Sequence, residues 1–235
     1  MAFKHGTAAK VYLTNLDISC YLESVGLTLE RDMVDIRVLC AGAVKRIIGW
    51  KGATLDLEGV YDAASHEAEI WDLIDTAEEG VAVVLFGGEA LGAPGYMTEV
   101  LVSSEQISAG NDAIKMPSQA FGLGTIRRGV ILHAMEEETT SGDGDSLDQS
   151  ASSLNGGAAY LVVPAIGAGA TLEVKVQDSD DEILWDDLIV FTVDGADGPV
   201  GSLAEAAGAV GQYIRTVWTL GGVGEATFFV GWARD

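Results

Sequence analysis

The stretch that most limits what this chain can fold into is residues 49–86, GWKGATLDLEGVYDAASHEAEIWDLIDTAEEGVAVVLF, which reads as strand, helix, strand. From Ala53 to Tyr61 the residues alternate. Ala53, Leu55, Leu57, Gly59 and Tyr61 fall on one side, and Thr54, Asp56, Glu58 and Val60 on the other. This is the period of a half-buried strand, with one apolar face and one acidic face. Ser65 is placed to cap a helix in which Ile70, Leu73, Ile74 and Ala77 recur at helical spacing, with Glu67 and Glu69 near the positive end of its dipole. Gly80 offers a left-handed stop, and residues 81–86 follow as a buried strand. A helix with one apolar stripe, set between strands, needs a sheet to lie against.

The remainder supplies strands. Residues 10–14 predict a first one, with a short turn or helix beginning at Asp17 and Ser19. Val25, Leu27 and Leu29 alternate with Ser24, Gly26, Thr28 and Glu30 as a second half-buried strand. The glycine-rich run 87–95 closes a hairpin between 81–86 and 96–104, and further strands are predicted at 113–120 and 129–135. Beyond them, 158–166, 171–177, 184–193, 212–220 and 226–233 read as strands separated by turn clusters. Two stretches break the pattern. Residues 31–51 are apolar without a clear face and carry Arg31, Arg37, Lys45, Arg46 and Lys51, which predicts a long functional connection. Residues 136–153 are small, polar and acidic, which predicts a linker. The expected fold is therefore mainly β: an N-terminal β-sandwich or barrel with one flanking α-helix over 1–138, an acidic Gly/Ser-rich linker over 139–153, and a small C-terminal β-sandwich over 154–235.

Charge narrows the function. The 36 acidic residues outnumber the 13 basic ones, for a formal net charge of -23, which argues against a surface that binds duplex DNA by neutralising phosphates and leaves open one that repels it. Residues 139–235 are the more one-sided part, with 15 acidic against 3 basic residues. Cys20 and Cys40 lack CxxC spacing and read as buried free thiols. His5, His66 and His133 have no metal or catalytic spacing, and no nucleophile elbow, dinucleotide fingerprint or P-loop occurs; the glycines around 122, 167 and 221 are turns. Asp178, Asp180, Asp181 and Glu182, and likewise Asp143, Asp145 and Asp148, read as solvated turns rather than calcium loops. The expectation is a protein without catalysis, cofactor or metal. Trp185 either stacks on a sugar or anchors the core, as Trp218 and Trp232 do. The first fifteen residues lack the apolar core of a secretory signal, and no run approaches the roughly 18 apolar residues of a membrane span, so a soluble, cytoplasmically made protein with no membrane partner is expected.

Residues 3–135 resemble the major tail tube proteins of long, non-contractile-tailed bacteriophages. The likeness rests on the order of parts: LDISCYLESVGLTLERD, a long loop, WKGATLDLEGVYD running into an amphipathic helix, VAVVLFGG, and the GVIL strand. The later segments TLEVKVQDSDDEILWDDLIVF, QYIRTVWTL and ATFFVGWAR resemble β-sandwich modules appended to phage tail and other virion surface proteins. The first resemblance implies a virion subunit that assembles into stacked, typically hexameric rings. These form a tube through which DNA passes without specific binding, alongside other tail proteins. It also implies a lumen-lining barrel shared between subunits and a long loop reaching the adjacent ring. On that reading Asp56 and Glu58 are the candidate lumen-facing acids, where like-charge repulsion lets DNA slide; the alternative is that they face ordinary solvent. Arg37, Lys45, Arg46 and Lys51 are the candidate ring-to-ring contacts. Two other functional readings stay open: a virion surface protein whose C-terminal sandwich recognises host carbohydrate through Trp185, or a tail terminator or distal-tail protein of similar fold. A hydrolase built on the 178–182 cluster lacks a matched base or nucleophile.

Overall fold

The computed structural model describes residues 8–36, 45–60, 66–76, 79–109 and 114–235. In chain order its strands are β1 (Lys10–Leu13), β2 (Leu16–Asp17), β3 (Leu22–Ile36), β4 (Lys45–Val60), β5 (Gly80–Leu85), β6 (Pro94–Glu105), β7 (Ser108–Ala109), β8 (Ile114–Gly122) and β9 (Arg127–Glu138). They continue as β10 (Gly142–Asp143), β11 (Leu147–Asp148), β12 (Gly157–Ile166), β13 (Gly169–Ser179), β14 (Asp186–Asp194), β15 (Val200–Ala206), β16 (Tyr213–Val223) and β17 (Ala226–Arg234). Helix α1 (His66–Thr76) lies between β4 and β5 in sequence, and a 3-10 turn spans Ser19–Tyr21. The fold is mainly β, as expected. It divides into two compact units: the chain up to Ser19 with Gly80–Met97 and Arg127–Asp235, and Cys20–Glu79 with Thr98–Ile126.

The first unit holds two cores separated by a shared wall. Its larger sheet takes β15, β12, β17, β9, β6, β5, β1 and β2 in that order, with β6 entering through Pro94–Met97 opposite Arg127–Val130. Its second sheet runs β10, β16, β13, β14. Strands β12 and β17 are apolar almost throughout because both of their faces are covered. Ala158, Tyr160, Val162 and Phe229 enter one core with Tyr12, Val83 and Met97. Ala159, Leu161, Val163, Phe228 and Trp232 enter the other with Leu172, Val174, Phe191 and Trp218. Alternation along a two-sided strand thus sorts every second residue into a different core.

Two glycines mark places where backbones interlock. A Cβ at Gly129 would overlap the carbonyl of Trp232, and one at Gly201 would overlap the backbone of Thr14. The second contact brings the β1–β2 turn against β15, so the larger sheet curls back on itself. Arg127 ties the same region together: its Nε donates to Asp235 at 2.8 Å, and its Nη atoms donate to Glu205 at 2.5 Å and to the Tyr160 hydroxyl at 3.3 Å. Burial disfavours the charge, but these hydrogen bonds outweigh it and raise the guanidinium above its usual value.

The expected linker is a structural strap. Gly142 and Asp143 pair with Trp218 and Val217, and Leu147 and Asp148 pair with Ile214 and Tyr213, so both short strands lie along β16. The Trp218 indole donates to the Thr140 carbonyl at 2.9 Å, and Leu147 packs on the core. Strand β9, just before the strap, pairs with β17 at the end of the chain. The boundary expected at 139–153 therefore does not coincide with the division into units. Leu147→Asp should detach this strap: limited proteolysis is expected to leave 139–153 intact in the wild-type protein and to cut it in the variant. Equal cutting in both would mean the segment is unattached.

In the second unit the predicted alternation is met residue by residue. Ala53, Leu55 and Leu57 are buried, Asp56 and Glu58 are exposed, and Tyr61 lies outside the described residues. Strand β4 sits between β3 and β8, and β8 in turn pairs with β6 and β7. On α1, Ile70 and Leu73 are buried and Ile74 half-buried, whereas the cap Ser65 and Ala77 fall outside the described residues.

Three expectations are corrected. The connection foreseen over 31–51 is a continuation of two strands: β3 and β4 stay paired through Ile36↔Lys45, leaving only 37–44 undescribed between them. Gly80 does not end the helix with a left-handed turn; it opens β5, where a side chain would collide with Thr14. Cys20 is a free thiol but exposed, while Cys40 lies outside the described residues.

Candidate functional site

The acidic face of β4 continues onto its neighbours because opposed residues in an antiparallel pair share a face. Gly26 and Ser24 of β3 stand opposite Asp56 and Glu58, and Gln119 and Pro117 of β8 stand opposite the same two residues. Gln119 Nε2 donates to Asp56 Oδ1 at 2.6 Å, and Ser24 Oγ donates to Glu58 Oε2 at 3.1 Å. Gly26 leaves room beside the Asp56 side chain, and the face forms an open groove of about 490 Å³ floored by Gly26, Pro117 and Gln119. Lys115 at the margin is paired with Glu23. Asp56 and Glu58 are thus two fixed carboxylates on a polar, water-exposed sheet face. Ser24, Ser104 and Ser118 complete the polar lining of the groove.

Among the described residues, no third strand pairs with β3–β4 on the N-terminal side of Thr54 in β4. Strand β4 meets β8 only over Thr54–Val60, and among the described residues β3 pairs with β4 alone. What remains is a two-stranded ribbon on which Leu29, Arg31, Met33 and Lys51 are exposed, with Leu29 and Met33 53% and 65% accessible. Arg31 stands opposite Lys51, and Asp35 and Ile36 stand opposite Arg46 and Lys45. Of the four basic candidates, the structure therefore places Lys45, Arg46 and Lys51 on one strand of this ribbon, while Arg37 lies outside the described residues. Two-stranded ribbons are marginal in water by themselves, and long unpaired edges with exposed apolar side chains invite pairing.

Trp185 is half-buried, and the Arg215 guanidinium lies over its ring, 4.2 Å from the centroid. Arg215 is held there by two hydrogen bonds to Gln177 Oε1 at 2.9 and 3.0 Å. One face of the indole is therefore occupied from within the protein. Trp218 and Trp232 are core residues, as foreseen.

The acidic turns serve the backbone. Asp181 Oδ1 accepts the N–H groups of Ile183 and Leu184, both at 2.9 Å, and these bonds hold its carboxyl below the usual range. Asp148 is lowered by hydrogen bonds from Gln212 and the Ser150 backbone. Asp178 Oδ2 accepts the Gly211 N–H at 2.5 Å. Among the described residues no group of three or more His, Cys, Asp or Glu is arranged to hold a metal ion, and no helix is long and apolar enough to cross a membrane. His133 is a core residue, stacked on Phe228 at 4.2 Å and edge-on to Trp218 at 4.9 Å, with Nε2 3.3 Å from Glu138.

Sequence reasoning found the acidic face and the basic residues but missed the geometry that makes the latter a ribbon. The signal was present as Val34, Ile36, Ile47 and Ile48, β-branched residues clustered on both arms of the supposed loop.

No protein-family model matches the chain, and no curated protein matches it. Solved structures give partial likenesses. A chain of the virion of a native gene transfer agent particle shares 14% identity at a TM-score of 0.42, over 53% of this chain and 97% of that one. The SPP1 Dit protein, described as a paradigm of the hub adsorption apparatus in phages infecting Gram-positive hosts, shares 8% identity at a TM-score of 0.34, over 94% and 99%. A chain of the anti-feeding prophage baseplate, 6-fold symmetrised, shares 14% at 0.39, over 55% and 95%.

Proposed function

We propose that this chain is a structural, non-catalytic phage tail subunit that associates with copies of itself into stacked rings, forming a tube through which DNA passes unbound. The observation that carries the reading is the β3–β4 ribbon, with open edges, exposed Leu29 and Met33, and Arg31 beside Lys51. A monomer gains nothing from such a ribbon, whereas a neighbouring copy would cover it. The resemblance of residues 3–135 to tail tube proteins supports the same assignment. Asp56 and Glu58 then line the bore: fixed carboxylates on a polar face repel the phosphate backbone and leave DNA free to move. Lys45, Arg46 and Lys51, together with Arg37, meet acidic surface on the next ring. Other tail proteins would cap the stack.

Sedimentation velocity of the full chain, from micromolar to near-millimolar concentration, tests this. Ring-sized and larger species that dissociate as salt is raised are expected, since exposed charge contacts are screened. A single monomeric boundary at every protein and salt concentration would reject the reading.

A further inference from the structure

We propose that the open edge of β14 and the slot beside it receive the β3–β4 ribbon of a second copy of this chain. The inference rests on the self-assembly reading above and names the surface that the ribbon meets.

Strand β14 is the last of its sheet and, among the described residues, pairs with β13 alone. Its inward residues Ile189, Phe191 and Val193 are core, while Val190 is 48% exposed. Between β14 and β15 lies a slot of about 400 Å³, floored by Leu161 and Phe191 and rimmed by Asp194 and Asp197. Such an edge offers a row of outward N–H and C=O groups and a cleft for the side chains of an added strand. Nothing on β14 blocks pairing: the strand contains no proline, and its one register shift lies at the Gln177 end of the ladder.

Charge selects the occupant. Two β14 strands paired antiparallel would set Asp194 of one copy beside Asp186 and Asp187 of the other, and a parallel pairing in register would stack like on like. The edge therefore rejects its own kind and favours a basic strand. Much of the remaining basic charge is already paired: Lys115 with Glu23, Arg127 with Glu205 and Asp235, Lys175 with Asp187. The ribbon's β4 arm is such a strand, with Lys45, Arg46 and Lys51 and no acid before Asp56, while β3 sets Arg31 opposite Lys51, between exposed Glu30 and Asp35, and brings exposed Leu29 and Met33 to enter the slot beside Val190. Because ribbon and β14 edge are different surfaces, a pair of copies keeps one free ribbon and one free edge, and association propagates instead of stopping at a dimer.

The test places a photo-crosslinking benzoylphenylalanine at Val190 in the full chain, mixing isotopically light and heavy protein at an assembling concentration. Mixed-isotope adducts joining position 190 to residues 22–36 or 45–60 are expected. Asp194→Lys with Asp197→Lys should cut their yield at least fivefold, and adding Arg31→Glu with Lys51→Glu to the same chain should restore it. Assemblies that give no adduct, adducts mapping elsewhere, or yields indifferent to the charge swap would overturn the docking while leaving self-assembly standing. A chain that remains monomeric would overturn both.

Discussion

Trp232→Ala is expected to cost roughly 3–5 kcal/mol of folding stability, the range for removing a large buried aromatic side chain, and to lower the melting temperature by on the order of 10 °C for a chain of this size. Trp232 is fully buried on β17, the strand that lies between β12 and β9 in the shared wall. Its carbonyl lies where a side chain at Gly129 would stand, and its ring where one at Gly157 would stand, so neighbouring backbones are fitted around it. A cavity here opens in the core that joins the two sheets of the first unit. Trp232→Phe should cost much less, because the indole N–H finds no acceptor among the described residues and its loss removes a desolvated donor. Equilibrium denaturation of the three proteins measures both differences. Equal losses for the alanine and phenylalanine variants would mean that the ring's volume is not what supports the wall.

Arg31→Glu combined with Lys51→Glu is expected to weaken self-association at least tenfold while leaving the fold intact. Both residues are exposed and stand opposite each other on a ribbon that, among the described residues, has no third strand, so neither contributes to a core. Reversal turns attraction toward an acidic neighbour into repulsion at two adjacent positions; losing two pairs worth about 0.2–1 kcal/mol each and gaining comparable repulsion sums to roughly 1–4 kcal/mol, a range whose centre lies above the ~1.4 kcal/mol of a tenfold shift. The effect should shrink as salt is raised. Sedimentation equilibrium reads the association constant, and circular dichroism confirms that the subunit is unchanged. Unaltered association would remove the ribbon from the assembly mechanism.

Strands with one wet face were legible because alternation is a local property: Ala53, Leu55 and Leu57 against Asp56 and Glu58 can be read from nine residues. Strands buried on both sides, such as β12 and β17, were legible as apolar runs, but their role was not, because no local pattern says that Tyr160 and Leu161 enter different cores. The strap at 139–153 was invisible for a related reason. Its two-residue strands attach through one leucine and one backbone acceptor for an indole, too few residues to carry a period. Strand β15 was missed because VGSLAEA is small and weakly apolar, and its place is set by pairing with β12. The ribbon was misread as a loop because a two-stranded extension outside a core has no apolar face to alternate with. Of the candidate residues, the exposure of Asp56 and Glu58 follows from strand alternation alone, whereas the state of Trp185 depended on Arg215, thirty residues away in sequence.

The most direct measurement is a reconstruction by electron microscopy of the particles that the purified chain forms. A hollow ring or stacked tube is expected, with the β3, β4 and β8 face on the inner wall so that Asp56 and Glu58 of every copy border the bore. Monomers on the grid at all protein and salt concentrations, or an assembly that turns that face outward, would contradict it.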